Sequence, residues 1–323
     1  MSGNFLPTLF LRAWDGYSYF LRVYRYRCEQ LGAKGCSDNK IKIWFRLFWR
    51  VCIQKKKILF CPEAPKPLFV IYKILLFLGY RVTVDPSHTV HMGMKWLNAF
   101  DGSPFLPEVP IFQKMNQGPS KIPIVNMYCP DVSKRQVSAA FEKVFGYSVS
   151  IDPRVYQGKC VMKSNWNGLH VGQVLDCPLV EKEEGFVYEN LLNNEVANGL
   201  VEDIRVPIFK GTIPFIYLKY RPVDERLVDR AHVNKKVIIA EVNERLSPGE
   251  VEKVGSFTRE LGLDYGEIDI LRHKDDGKIY IVDVNPNPAG PPEPITPDDS
   301  KAAIVRLAQA FEAAFMHSPI PSD

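Results

Sequence analysis

The sequence lacks the patterns that mark disulfide-stapled, zinc-binding or membrane-spanning proteins. Its seven cysteines are unevenly spaced and include no Cys-x-x-Cys pair, which argues against a zinc site or a disulfide framework and favours reduced thiols. The most apolar run, residues 68–80, contains Lys73 and is too short to cross a bilayer. There is no secretory-signal order, internal repeat or low-complexity tract. We therefore expect a folded cytoplasmic protein.

Charge is distributed unevenly along the 323 residues. The formal net charge is +4, but residues 1–57 hold 12 Lys or Arg against three acids, which leaves 29 basic and 34 acidic residues in the remainder. A basic head on a slightly acidic body argues against a protein that coats nucleic acid along its whole length. The length allows one large domain or two medium domains with a sizeable core.

The basic head alternates aromatic and basic side chains over residues 1–54. Trp44, Phe45, Phe48 and Trp49 follow helical spacing, so we expect a basic, aromatic helical extension. This extension can pack on the main body, join two subunits in a homodimer, or contact an anionic membrane surface peripherally. We expect no nucleic-acid partner, because the body is acidic.

The rest of the chain carries both strand and helix signals, so we expect a body of mixed α and β structure. Residues 57–61 and 81–84 read as strands around a helix that begins at Pro67 and ends at Leu78, without a Gly-x-Gly-x-x-Gly motif. Residues 101–124, and the wider stretch 86–125, read as loop. Further strands are expected at 159–163 and 185–189, hairpins at 203–220 and 266–284, and helices at 133–145, 248–261 and 300–315.

The second hairpin carries the clearest chemical signal. Asp269 lies in its first strand, while Asp283 and Asn285 lie two residues apart in its second strand and so point to one face. Two carboxylates and an amide oxygen are hard ligands suited to Mg²⁺ that holds nucleotide phosphates. An Asn-Pro-Asn-Pro exit then ends the strand, which places these ligands at a rim. A polar strand face without a metal is the alternative.

This Asp…Asp-x-Asn-Pro hairpin resembles the magnesium site of the ATP-grasp superfamily. The branch it resembles most joins carboxylates to amines, as RimK-type ligases and D-alanine–D-alanine ligases do. The resemblance covers residues 126–294 well and 57–85 loosely. It implies an α+β ATP-grasp fold with a helical extension at 1–54, a pre-ATP-grasp α/β domain at 55–125 and an ATP-grasp domain at 126–323, whose central lobe covers about 126–186 and C-terminal lobe about 187–323.

The resemblance also implies roles for other residues. Nucleotide-binding positions would be Lys134, Lys163, Ser164, Gly168, His170, Glu189, Asn190, Leu191, Leu192 and Glu195. Arg205, Lys219 and Arg221 would be catalytic, holding phosphate or the acyl phosphate. The residues alone leave other interpretations open: solvated carboxylates at Glu189 and Glu195, and a charge-paired hairpin at the three cations.

The function implied by the resemblance is that of an ATP-dependent carboxylate–amine ligase. Such an enzyme uses ATP with Mg²⁺, or Mn²⁺, forms an acyl phosphate and releases ADP and phosphate. A small-molecule kinase and a non-catalytic ATP-binding module are the alternatives. The carboxylate and amine can be small molecules or peptides. His91, Lys95, Trp96 and Asp101 are candidates for substrate specificity, because the family binds its acceptor beside this stretch.

Overall fold

The chain folds into helices and three β-sheets, which confirms the α+β class. The computed structural model describes residues 5–37, 40–98, 108–117, 122–166, 172–227 and 234–316, with side chains from residue 16 onward except at 33–37 and 40. Within these ranges the α-helices are α1 (Phe5–Ser37), α2 (Lys40–Phe48), α3 (Val70–Leu78), α4 (Pro110–Gln117), α5 (Lys134–Phe145), α6 (Pro248–Leu261) and α7 (Pro297–Phe311). The strands are β1 (Lys57–Pro62), β2 (Arg81–Thr83), β3 (Met92–Trp96), β4 (Ile124–Val125), β5 (Gly158–Ser164), β6 (Gly172–Cys177), β7 (Phe186–Asn190), β8 (Leu200–Phe209), β9 (Ile216–Pro222), β10 (Lys236–Ala240), β11 (Tyr265–Arg272) and β12 (Ile279–Asn285).

The basic head is helical, as its spacing predicts. Helix α1 changes direction at Gly32, whose φ of 70° is a left-handed value. Helix α2 continues as a more widely wound helical segment, Trp49–Gln54. The fully buried Phe20 joins the two helices, since its ring meets Trp44 and Phe48 edge-on at centroid distances of 5.3 and 5.6 Å. Helix α1 also packs on α3 and α7, so the head lies against the body.

A parallel sheet of order β2-β1-β3-β4 follows the head. The expected βαβ unit is present, with α3 between β1 and β2. The loop prediction over 86–125 is wrong at β3, α4 and β4. Strand β3 is buried along its whole length and pairs with β1 from Ile58 to Pro62, so long-range pairing outweighs the turn-forming residues around it.

The two remaining sheets are antiparallel. Strands β6-β5-β7 form one sheet and β10-β9-β8-β11-β12 form the other. Both predicted hairpins, β8–β9 and β11–β12, are present. Helices α5 and α6 pack on one face of the five-stranded sheet, and α7 packs on the opposite face together with α3. The end of the five-stranded sheet next to β5 and β7 is where the polar side chains collect.

The expectation that the cysteines are reduced holds for five of the described cysteines and fails for one. Cys52, Cys61, Cys129, Cys160 and Cys177 are free, in line with the sequence prediction. Cys28 is disulfide-bonded, so the prediction of reduced thiols is wrong at that residue.

A search of the described helices for a membrane span finds none with both the length and the apolar character to cross a bilayer.

Candidate active site

An open cavity lies between the three-stranded and the five-stranded sheets. Its apolar lining includes Val161, Leu192, Val201, Leu271 and Val282. Ionisable side chains from β5, β7, β8, β9, β11, β12 and the start of α5 line the same cavity. A cavity that combines apolar side chains with charged groups is typical of a site for a small ligand that has both an apolar part and ionised groups.

The predicted carboxylates lie at this cavity. Asp269 of β11 is directly opposite Asp283 of β12 in the antiparallel ladder, so both side chains project from one face. Glu267 is opposite Asn285 in the same register. Asp269 and Asp283 line the cavity, whereas Asn285 lies beyond its edge and its Oδ1 accepts a hydrogen bond from the backbone N–H of Asn287 at 2.9 Å.

Asp269 is held by two cations from neighbouring strands. Arg205, directly opposite on β8, donates to both carboxylate oxygens at 2.9 Å, and Lys219 Nζ donates at 3.1 Å. Burial raises the pKa of Asp269, but the two cations outweigh this effect and hold it below its usual range. Asp269 is therefore ionised. Arg205 and Lys219 are paired in this way, and neither of these predicted catalytic residues lines the cavity.

Two more ion pairs reach the cavity itself. Arg221 of β9 donates to Asp203 of β8, and both residues line the cavity. Lys134, the first residue of α5, places Nζ 2.8 Å from Asp283 Oδ1. Burial lowers the pKa of Lys134, but Asp283 and other nearby carboxylates raise it above its ordinary value, so the ammonium stays charged. Helix α5 is fixed at this end by its N-cap, Ser133.

Lys163 and Glu189 form the third pair, on adjacent strands β5 and β7. Lys163 Nζ lies 2.5 Å from Glu189 Oε2. Glu189 is buried, so the interpretation of Glu189 as a solvated carboxylate is wrong. Of the lysine and arginine residues that line the cavity, Lys134, Lys163 and Arg221 are each held by a carboxylate. A dense set of paired charges around an open space can exchange partners with an incoming anion.

The other predicted nucleotide-binding residues divide into three groups. Ser164, Asn190, Leu191 and Leu192 line the cavity. Glu195 does not line it, although its neighbour Asn194 does. Gly168 and His170 lie outside the described residues.

The specificity candidates lie away from this cavity. Trp96 is fully buried, packs edge-on against Phe69, and donates from Nε1 to Asn98 Oδ1 at 3.0 Å, so it belongs to the core. Lys95 is also buried, and burial lowers its pKa. His91 directly precedes β3. Asp101 lies outside the described residues.

Sequence reasoning missed Trp166, Asn194 and Arg226, which line the cavity. Arg226 donates to the backbone carbonyl of Leu192 and, at 2.7 Å, to Asn194 Oδ1. Each of these residues lies in a turn or irregular segment without a periodic pattern. A lone arginine two residues beyond the acidic Asp224 gives no signal that distinguishes it from a solvated charge.

Comparisons with known proteins give structural likenesses only. No protein-family model matches the chain, and no curated protein matches its sequence. The chain is similar to the D-alanine–D-alanine ligase of Bacillus anthracis complexed with ATP, with 14% identity and a TM-score of 0.49 over 81% of this chain and 96% of that one. It is similar to the macrocyclase MdnC from Microcystis aeruginosa MRC bound with precursor peptide MdnA, with 13% identity and a TM-score of 0.44 over 81% and 99%.

A third likeness is to the ATP-grasp ligase PsnB complexed with minimal precursor, with 14% identity and a TM-score of 0.39 over 58% of this chain. The matched part spans 64% of that PsnB chain.

Proposed function

We propose that the chain is an ATP-grasp enzyme: an ATP- and Mg²⁺-dependent ligase that joins a carboxylate to an amine and releases ADP and phosphate. One observation carries the proposal. Asp269 and Asp283 face each other across a strand pair, with Asn285 two residues further on, beside a cavity that Lys134 and Lys163 also reach. Carboxylates that would hold Mg²⁺ and cations that would bind phosphate thus lie beside a cavity with apolar side chains in its lining, which supports a nucleotide site.

The donor set fits a magnesium ion that is held largely by its nucleotide. Among the described residues, no group of three or more His, Cys, Asp or Glu side chains is placed to hold a metal ion. Two carboxylates and an amide oxygen therefore need further oxygen ligands, and Mg²⁺ in nucleotide enzymes takes these from phosphates and water. When bound, the ion would neutralise part of the negative charge of the phosphates.

The protein's own cations would stabilise the remaining negative charge of the phosphates. Lys134, Lys163 and Arg221 line the cavity and are paired with Asp283, Glu189 and Asp203. Phosphate oxygens would join these cations and stabilise the negative charge that develops during phosphoryl transfer. In the proposed reaction a substrate carboxylate oxygen attacks the γ-phosphorus and ADP leaves. The amine nitrogen then attacks the acyl carbon of the acyl phosphate, and phosphate leaves with the acyl–oxygen electron pair.

The proposal is tested by product analysis. The purified protein is incubated with ATP and Mg²⁺ and with paired libraries of carboxylates and amines, including peptides, and ADP release is measured. A hit is expected to yield ADP, phosphate and a new amide in equal amounts by mass spectrometry. A phosphorylated alcohol without an amide would identify a kinase instead. Nucleotide binding without turnover on any pair would identify a binding module, and AMP as product would exclude the acyl-phosphate route.

Replacing Lys163 with Ala is expected to weaken ATP binding roughly 10- to 100-fold, the value of one charge-assisted hydrogen bond. The reason is that Lys163 Nζ lies at the cavity, where its partner Glu189 is buried. Isothermal titration calorimetry measures the change. Lys159→Ala is the matched control, since Lys159 lies on the same strand and pairs with the exposed Asp176. Equal affinities of the two variants for ATP would remove Lys163 from the site.

A further inference from the structure

A row of exposed apolar side chains runs along α2 and the helical segment that follows it. Ile41, Phe45, Trp49 and Ile53 are 73, 64, 58 and 53% exposed. They are spaced four residues apart, which is close to one turn both in the α-helix, with its roughly 3.6 residues per turn, and in the more widely wound segment that holds Trp49 and Ile53. The four side chains therefore follow one side of the helix. We call these four residues the apolar ridge. A row of large apolar side chains on the surface is typical of an interaction site.

The apolar ridge is not the face by which this helix packs on the rest of the protein. The inner face of the same helix is already packed, since Leu47 and Val51 are buried in one cluster with Phe20 and Val23 of α1. The helix therefore has two apolar faces. One is buried in the protein, and the other faces outward in the described part of the chain.

The sequence around the ridge is strongly basic. Between Asp38 and Glu63 there are seven Lys or Arg and no acid. Lys42 and Arg46 are exposed, and each directly follows a ridge residue. Aromatic and aliphatic side chains flanked by cations match the boundary between anionic headgroups and acyl chains.

We propose that the apolar ridge docks the protein on an anionic lipid bilayer, with the helix lying flat at the level of the headgroups. A second copy of the chain is a poorer occupant, because a twofold interface on this face would bring Lys42 and Arg46 of both copies together. A peptide is also a poorer occupant, since the ridge is convex and helical peptides dock into grooves. Aromatic side chains at the headgroup level and basic side chains beside them fix such a helix parallel to the membrane.

Vesicle flotation tests the proposal with the full chain. Wild-type protein is mixed with vesicles of phosphatidylcholine alone and with vesicles that also contain phosphatidylglycerol. We expect it to float with the anionic vesicles and to remain in solution with the neutral ones. The double variant Phe45→Ser/Trp49→Ser is expected to have a lower partition coefficient between vesicles and solution. The decrease should be at least about tenfold for each apolar side chain that no longer inserts between the acyl chains. The matched control is Val155→Ser/Val180→Ser, at two exposed valines away from the head, which should bind as wild type does.

The contribution of charge is measured separately. Lys42→Glu/Arg46→Glu is expected to abolish flotation, whereas Lys235→Glu/Lys236→Glu, at two exposed lysines before and at the start of β10, should retain it. Brominated acyl chains should quench wild-type tryptophan fluorescence more than that of Trp49→Phe. Circular dichroism and melting curves establish that each variant is folded.

Three outcomes would overturn the proposal. The first is flotation of the Phe45→Ser/Trp49→Ser variant to the wild-type extent. The second is equal wild-type binding to neutral and anionic vesicles. The third is loss of a dimer on sedimentation in that variant while vesicle binding is absent throughout, which would assign the ridge to a second copy.

Discussion

We expect Asp283→Asn to lower Mg²⁺-dependent ATP turnover about 1,000-fold without unfolding the protein. Asp283 faces Asp269 across the β11–β12 ladder and lies at the mouth of the cavity. Asparagine has nearly the same size, so packing is retained while one of the two carboxylates that we propose to hold Mg²⁺ loses its charge. Several kcal/mol of transition-state stabilisation corresponds to about this factor, because each 1.4 kcal/mol or so changes a rate tenfold.

For the same variant we also predict the direction in which ATP affinity changes when no metal is present. Asp283 adds a negative charge beside Lys134 Nζ, at a distance of 2.8 Å. In EDTA, Asp283→Asn should bind ATP at least as tightly as wild type, since a repulsive charge has gone and Lys134 is released. With Mg²⁺, wild type should gain affinity and the variant should gain much less. Titration calorimetry in both buffers measures the difference.

Asp275→Asn is the matched control for this prediction. It lies in the turn of the same hairpin, and its side chain is 68% exposed. Its turnover and its response to Mg²⁺ should equal those of wild type. If Asp283→Asn keeps wild-type turnover, or if both variants lose turnover equally, the carboxylate pair does not hold a metal.

The hairpin that carries Asp269 and Asp283 could be predicted from sequence because its turn signal is local. The Asp275-Asp276-Gly277 turn fixes the hairpin, and the two-residue repeat of a strand then decides which side chains share a face. The structure brings Asp269 opposite Asp283 only through a register shift between Asp269 and Ile270, since Ile270 pairs with Ile281 and an unshifted ladder would place Val282 opposite Asp269. The facing carboxylates therefore depend on a β-bulge that the turn pattern does not specify. The ion pairs between Asp269 and Arg205 or Lys219 depend on how β8, β9 and β11 pair, which no local pattern specifies.

The parallel sheet was harder to predict for the same reason. Strand β3 has the sequence Met-Gly-Met-Lys-Trp, which neither alternates in polarity nor contains a β-branched residue. It becomes a strand because it fills the space between β1 and β4, whose residues are distant in sequence. Lys95 is buried there, which a sequence pattern would place on a solvated face.

Asn126 links the end of the parallel sheet to the five-stranded sheet, and the loss of its side chain should cost about 4 kcal/mol of unfolding free energy. Asn126 follows β4 and is fully buried. Its Oδ1 accepts from the backbone N–H groups of Asp264 and Tyr265, and its Nδ2 donates to the carbonyl of Tyr265, each at 2.9 Å. Asn126→Ala removes three hydrogen bonds and leaves three backbone groups at the start of β11 without these partners.

The backbone conformation of Asn126 adds a second contribution to the loss of stability. A control variant separates this contribution from that of the hydrogen bonds. Asn126 has a φ of 57°, a left-handed value that alanine adopts less readily than asparagine. Asn198 has a similar φ of 64° but lies exposed in a turn. Asn198→Ala should therefore cost only the conformational part, on the order of 1 kcal/mol. Urea unfolding followed by circular dichroism gives both values.

The difference between the two alanine variants measures what the side-chain bonds of Asn126 contribute, and we expect about 3 kcal/mol. Equal losses would mean that Asn126 serves only as a turn residue. Hydrogen exchange distinguishes the two cases independently, because the amides of Asp264 and Tyr265 donate to Asn126 Oδ1 in the native protein. In Asn126→Ala those two amides should exchange faster, while amides in the interior of β8 keep their protection. These results would show that the side chain of Asn126 links the parallel sheet to the five-stranded sheet.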